Sequence, residues 1–208
     1  MIYSIVITFL AAYFLGNING AVSISALVAN DDVRKHGSGN AGLTNFIRNY
    51  GAKSAVYVIL IDAGKAVLGC LLGGLILGNL GYRLEGYILG GVGVMTGHAF
   101  PVLLGFKGGK GILSGLFIAL VADWRIAVLI LAVFAAIYFA TRYVSLASVV
   151  ASAGFSAGFA IFHHHNLPVM IGGVLMGLLA IFMHRGNIAR LVKGQERKTN
   201  LFGKGKQK

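Results

Sequence analysis

The chain has 208 residues, 57% hydrophobic and 12% charged, with a mean hydropathy of +0.80. Soluble domains carry about 25% charged residues, so too few polar side chains are present to coat a water-facing surface, and the composition predicts an all-α integral membrane bundle. The net charge of +12 does not indicate a nucleic-acid module, because the basic residues lie between apolar runs and at the C-terminus. Their expected partners are membrane lipid head groups and phosphorylated substrates.

A membrane helix needs roughly 20 mostly apolar residues, and seven segments approach this. The first, 3–27, begins with the apolar stretch Met1–Leu15, which lacks the basic leader of a cleaved signal. Asn17 and Asn19 inside it are read as interhelical hydrogen-bonding residues. The second span, 54–77, carries Asp62 and Lys65 at i and i+3, able to pair on one helix face. Ionisable groups at that depth are often functional, and an ion pair that orients a site fits equally well. The third, 84–104, holds His98 near its end, either a base or ligand or a satisfied core residue. The fourth, 112–122, is the weakest, and 84–140 has room for a re-entrant segment. The fifth, sixth and seventh are 125–140, 146–162 and 167–183. His163, His164 and His165 fall between two spans and are read as a loop. The single cysteine, Cys70, can form no internal disulfide. One bundle domain over 1–198 is expected, followed by a basic tail, 199–208.

The positive-inside rule orients the bundle. Segments 28–53, 105–111, 141–145 and 184–208 share one side and hold 15 of the 18 Lys and Arg residues. The opposite side holds only Arg83 and Arg125, and Lys65 lies within a span. The first side is therefore expected to be cytoplasmic, with the N-terminus outside and the C-terminus inside.

Three polar, glycine-punctuated segments then share the cytoplasmic face. The first, 36–48, contains Gly37, Gly39 and Gly42, which tolerate positive φ and leave backbone N–H groups uncovered. Ser38, Asn40, Thr44 and Asn45 add neutral donors, and Arg48 adds a fork that matches phosphate. A helix beginning inside or just after this loop would strengthen an anion cradle. The second, 97–111, resembles a Walker A loop without being one. Gly105 and Gly109 are one residue too close, and Gly111 stands where a hydroxyl should bind magnesium. What remains is Lys107 and Lys110 around Gly108 and Gly109, a second anion site. The third, 184–198, would place Asn187, Arg190 and Leu191 on one face, with His184 one turn behind, if it continues the last span as a helix. Lys193, Arg197 and Lys198 suit an interfacial tail on anionic lipid.

Absences narrow the chemistry. No His-x-x-x-x-Asp and no Gly-x-Ser-x-Gly occurs, and none of the six acidic residues falls in the first two segments. No carboxylate cage for a metal is present there, and no cofactor is expected.

Three ordered motifs carry a resemblance. Gly-Ser-Gly-Asn-Ala-Gly-Leu-Thr-Asn (37–45), Gly-His-Ala-Phe-Pro with Phe-Lys-Gly-Gly-Lys-Gly (97–111), and His-Arg-Gly-Asn-Ile-Ala-Arg-Leu with Gly-Gln-Glu (184–196) resemble the bacterial acyl-phosphate glycerol-3-phosphate acyltransferases. The Asp62–Lys65 pair is similar to that family's second-span pattern. The chain departs from the family at Asn17-Ile-Asn19, where Ser-Ile-Pro is frequent, and at Ile112-Leu-Ser114, where Val-Ala-Thr is usual; both changes bear on acyl-chain fit. The resemblance implies a seven-helix inner-membrane enzyme that moves an acyl group from acyl phosphate to the 1-hydroxyl of glycerol 3-phosphate, working as a monomer. It implies that the catalytic set Ser38, Arg48, Lys107 or Lys110, His184 and Asn187 binds the phosphates. Gly37, Gly39, Asn40, Thr44, Asn45, His98, Gly108, Gly109 and Gly111 are expected to line the phosphate site. An acyl phosphate is already activated, so the missing nucleophile is consistent with such a donor. Two rivals remain at this stage. A transporter of phosphorylated solutes would normally show internal repeats and a midplane site, and a lipid-binding scaffold leaves the first two motifs without a use.

Overall fold

The structure is a computed structural model and describes residues 1–199, so most of the expected basic tail lies outside the described residues. All regular structure among those residues is helical. The chain forms two compact units, Met1–Ile118 and Ala119–Lys208.

The first unit contains α1 (Ile2–Asn17), α2 (Gly20–Ala29), α3 (Leu43–Tyr50), α4 (Ala52–Gly78), α5 (Arg83–Ala99) and the start of α6 (Ile112–Ala122). The first span is not one continuous helix. Ile18 and Asn19 adopt extended backbone, and the Asn19 side chain accepts from the Val22 N–H at 3.0 Å, capping a new helix. Asparagine suits this position because its short side chain competes with the helix for backbone partners.

Glycine sets the packing of this unit. A Cβ at Gly73 would collide with the Gly86 carbonyl, and one at Gly90 with the Gly69 carbonyl, so α4 and α5 touch backbone to backbone. α1 meets α5 the same way, because a Cβ at Gly97 would collide with the Tyr13 carbonyl. Small residues permit this approach where no water-driven force holds helices together. Leu60, Leu68 and Leu75 of α4 are exposed, as suits a face turned to lipid.

A helix does begin inside segment 36–48, but it is the separate α3 and not the start of the second span. Leu43, Phe46, Ile47 and Tyr50 recur at i, i+3, i+4 and i+7, the spacing of one apolar helix face. Phe46 is fully buried with Ala21, Ile24, Val33, Ala55 and Val58. That cluster ties the first polar segment to α2 and α4.

The second unit contains α7 (Trp124–Thr141), α8 (Val144–Phe162), α9 (Leu167–Met183) and α10 (Arg185–Val192). α8 packs on α7 and α9, and α10 turns 55° from α9. Pro168 stands in the first turn of α9, where its missing N–H costs nothing.

Five helical segments among the described residues are long and apolar enough to cross a bilayer, or six if α9 and α10 form one bent span. Each of the seven expected segments contains a helix, broken at Ile18–Asn19 in the first and at Phe100–Pro101 in the third, but α6 has 11 residues, about 17 Å at the α-helical rise and short of a hydrocarbon core.

Candidate active site

The first polar segment is a built loop. Gly37 and Gly39 have φ of 60° and 69°, the left-handed region that glycine enters without strain. Asn45, on the first turn of α3, is the hub. Its Nδ2 donates to the carbonyls of Val33 (3.0 Å), His36 (3.0 Å) and Asn40 (3.1 Å), and its Oδ1 accepts from the Ser38 N–H at 3.0 Å. The Gly39 N–H is also committed, to the His36 carbonyl at 3.0 Å. Asn45 therefore shapes the cradle from inside. Ser38 and Arg48 stand exposed on its rim, with Asn40 and Thr44 half-buried. The expectation of uncovered glycine N–H groups does not hold at Gly39, because the tight turn uses its donor internally.

The second segment folds against the end of α5. The Gly109 N–H donates to the His98 carbonyl at 3.0 Å. A Cβ at Gly108 would collide with that carbonyl, and one at Gly109 with His98 Nε2. Gly111 has φ of 75° and lies against Met95. These glycines are required by close approach, and the N–H of Gly109 is spent on the loop. Lys107 is exposed and Lys110 half-buried.

The two segments are fastened together. Arg34 Nη1 donates to the carbonyls of Leu104 (2.9 Å) and Lys107 (3.2 Å), while Asp32 grips the same guanidinium through Nη2 at 2.8 Å. Asn19 Nδ2 donates to the Ala41 carbonyl at 3.0 Å, and Asn17 Oδ1 accepts from the Leu103 N–H at 3.1 Å. The hydrogen bond from Arg34 holds the Asp32 carboxyl below its ordinary value, and the same bond raises the Arg34 guanidinium. Next to them Asp31 accepts from Tyr50 Oη at 2.8 Å and pairs with His36 at 2.6 Å. Burial, then the bond to Asp31, pushes the Tyr50 phenol up to about 12. The acids of this region are thus occupied by neighbours, and the rim around Ser38, Arg48, Lys107 and Lys110 is cationic.

Beneath the loops lies a buried polar cluster. Asp62 and Lys65 pair at 2.7 Å, as their spacing predicted. The third member, His98, lies 33 positions from Lys65, so no local spacing links them; its Nδ1 is 2.7 Å from Lys65 Nζ. Lys65 Nζ also donates to the Ile18 carbonyl at 2.7 Å, and Asp62 Oδ1 accepts from the Gly20 N–H at 3.2 Å. The ion pair therefore caps both ends of the break between α1 and α2. Ser114 Oγ donates to the Asp62 carbonyl at 3.2 Å.

The third segment lies in the second unit, apart in sequence from the first two. It does not continue α9: the chain bends at His184, so His184 sits at a joint rather than one turn behind Asn187 on a continuous helix. His184 Nδ1 donates to the Ala180 carbonyl at 2.8 Å. Gly194, with φ of 66°, turns the chain so that Glu196 comes back onto α10. Its carboxylate accepts from Asn187 Nδ2 at 2.8 Å and Arg190 Nε at 2.7 Å. Burial alone would raise the Glu196 carboxyl, but the hydrogen bonds it accepts, led by those from Asn187 and Arg190, together with the Arg190 charge, outweigh it and hold it below its ordinary value. Glu196 was not anticipated as an organising residue. His163, read as loop, is tied to Asp123 at 3.0 Å within the same unit.

Two loops rich in glycine, with cations at the rim, can hold phosphate esters and stabilise negative charge developing beside them. Comparison with known proteins points the same way. A family model described as glycerol-3-phosphate acyltransferase matches residues 6–194. The chain is 37% identical to a glycerol-3-phosphate acyltransferase of Thermoanaerobacter sp. (strain X514), covering 93% of this chain and 94% of the relative. It is 38% identical to the same enzyme of Alkaliphilus metalliredigens (strain QYMF), over 91% and 93%. Among solved structures it is similar to PlsY, an integral membrane glycerol 3-phosphate acyltransferase, in its glycerol 3-phosphate form. The TM-score is 0.82 at 31% identity, over 95% of this chain and 96% of that one.

Proposed function

The chain belongs to the glycerol-3-phosphate acyltransferase family, membrane enzymes of phospholipid synthesis, and we propose that its donor is an acyl phosphate and its acceptor the 1-hydroxyl of glycerol 3-phosphate. The observation that carries this reading is the joined pair of glycine loops with cations beside them. Such a site holds two phosphate esters close together and asks the donor to arrive activated. A relative solved in glycerol 3-phosphate and lysophosphatidic acid forms supports the acceptor and the product.

In the proposed reaction the glycerol oxygen attacks the acyl carbon, the bond from that carbon to the bridging phosphate oxygen breaks, and lysophosphatidic acid and phosphate leave. The hydroxyl proton passes to the departing phosphate. Arg48, Lys107 and Lys110 neutralise the phosphates, and Ser38, Asn40 and Thr44 orient them, with Gly37, Gly39, Gly108 and Gly111 keeping the loops low. Asn45 and Gly109 build the loops. His184 and Asn187, in the second unit, are the remaining proposed phosphate-binding residues, and the enzyme is proposed to act as a monomer.

The 15-to-2 division of basic residues supports a cytoplasmic site in an inner membrane, with the N-terminus outside. That orientation needs seven crossings, and α6 then makes its crossing as a short helix. Glycerol 3-phosphate enters from the aqueous rim and the acyl tail from lipid. The donor is tested by giving the purified protein radiolabelled glycerol 3-phosphate with palmitoyl phosphate, palmitoyl coenzyme A or palmitoyl acyl carrier protein. Product from palmitoyl phosphate alone is expected; efficient use of either thioester would overturn the donor assignment.

A further inference from the structure

We propose that Lys65 is a positioning residue that fixes the tautomer of His98, so that His98 presents a hydrogen-bond donor to a substrate phosphate and does not serve as a base. The inference deepens the acyltransferase reading of the same site and rests on it for the identity of the phosphate.

The geometry determines the proton count. An ammonium has three N–H donors. Lys65 Nζ has three acceptors at 2.7 Å: Asp62 Oδ1, the Ile18 carbonyl and His98 Nδ1. A fourth oxygen, of Gly16, is farther at 3.4 Å. With Lys65 charged and paired to Asp62, His98 Nδ1 must accept, so the imidazole proton resides on Nε2. Asp62 does not compete for that nitrogen, since its Oδ1 is 3.8 Å from Nδ1.

Nε2 faces the second glycine loop. It lies where a Cβ on Gly109 would stand, while the His98 carbonyl holds the Gly109 N–H. His98 thus meets the loop through both its backbone and its side chain at Gly109, which lies between Lys107 and Lys110 in sequence. The same Lys65–Asp62 pair caps the broken first span, from which Asn19 reaches the Ala41 carbonyl of the first loop. One buried pair therefore sets the backbone beneath both loops and the proton on His98. A donor N–H at that place suits a phosphate oxygen, which only accepts. Either phosphate monoester, glycerol 3-phosphate or the acyl phosphate, has this chemistry.

The test begins with the unaltered enzyme. Its histidine ring nitrogens are read by 15N NMR in detergent, with the His98 signals assigned by their loss in H98Q. An Nε2–H tautomer at pH 7 is expected; an Nδ1–H ring or an imidazolium would overturn the proposal. In K65M the remaining Asp62 carboxylate should draw the proton to Nδ1, converting Nε2 into an acceptor. If that variant does not fold, H98Q and H98L decide the matter by kinetics. H98L should raise KM for one phosphate substrate about 10- to 100-fold, the range for a hydrogen bond to a charged group, and the substrate affected identifies which phosphate His98 holds. Glutamine, which keeps an N–H donor, should restore most of that loss. A fall in kcat with both KM values unchanged, equal in H98Q and H98L, would mean that His98 moves a proton and would refute the donor role. Absence of turnover with wild-type Nε2–H intact would instead count against the acyltransferase reading alone.

Discussion

Individual residues divide into those that touch the proposed substrates and those that hold the loops. Gly109 belongs to the second group, and its constraint is severe because a methyl there meets His98 Nε2 and the Ala41 carbonyl. Gly109→Ala should abolish turnover and destabilise the fold by about 1–3 kcal/mol, the usual cost of overpacking, measured by thermal unfolding in detergent. Arg34 is another holding residue. Arg34→Gln loses the bridge to the Leu104 and Lys107 carbonyls, and KM for a phosphate substrate should rise several-fold, about the effect of 1–1.5 kcal/mol of hydrogen bonding. Steady-state kinetics would show it, with kcat less affected. The motif residues Ser38, Arg48, Lys107 and Lys110 stand out in the sequence because cations and hydroxyls among glycines have few structural uses, and their contact with substrate belongs to the proposal. Arg34 does not stand out, since nothing local shows that its guanidinium reaches carbonyls 70 and 73 positions away.

At the scale of the element, the break in the first span and the bend at His184 are the features that position the polar segments. Hydropathy windows read 3–27 as one span because Asn17 and Asn19 are too few to lower the average. The cap at Asn19 becomes visible only with its partners, Val22 and Ala41. Asn19→Ala should cost about 1–2 kcal/mol of stability from the lost cap and loosen the first loop. That α3 is a helix separate from the second span is equally hard to read, since its four apolar residues look scattered until the 3.6-residue period is applied. In α10, the Glu196 carboxyl is held below its ordinary value by Asn187 and Arg190, so its folded form binds the proton less readily than the unfolded chain. Its contribution to stability is present above its ordinary value of 4.5 and is lost as pH falls through the lower folded value. Melting temperatures of wild type and E196Q should therefore differ at pH 7 and converge under acid conditions; a constant difference down to pH 3 would contradict this.

For the whole molecule, membrane insertion was legible in composition, and the placement of the 18 basic residues supplies the proposed orientation. The number of full crossings rests on α6, which is strongly apolar yet only 11 residues long. Orientation is testable with cysteines introduced into a chain whose single native thiol, Cys70, is buried. In intact cells His164→Cys should react with a membrane-impermeant maleimide, and Lys193→Cys should react only after lysis. The reverse pattern would place the glycine loops on the outer face and remove access to cytoplasmic glycerol 3-phosphate.

The most direct measurement of the central claim is phosphate release from palmitoyl phosphate by the purified protein, with and without glycerol 3-phosphate. Release that depends on glycerol 3-phosphate, matches lysophosphatidic acid formed one for one, and falls at least about 100-fold in Arg48→Ala, as removal of a charged transition-state contact does, is the predicted result. A folded preparation that binds glycerol 3-phosphate but releases no phosphate would contradict it and leave the loops as a binding site for phosphorylated solutes.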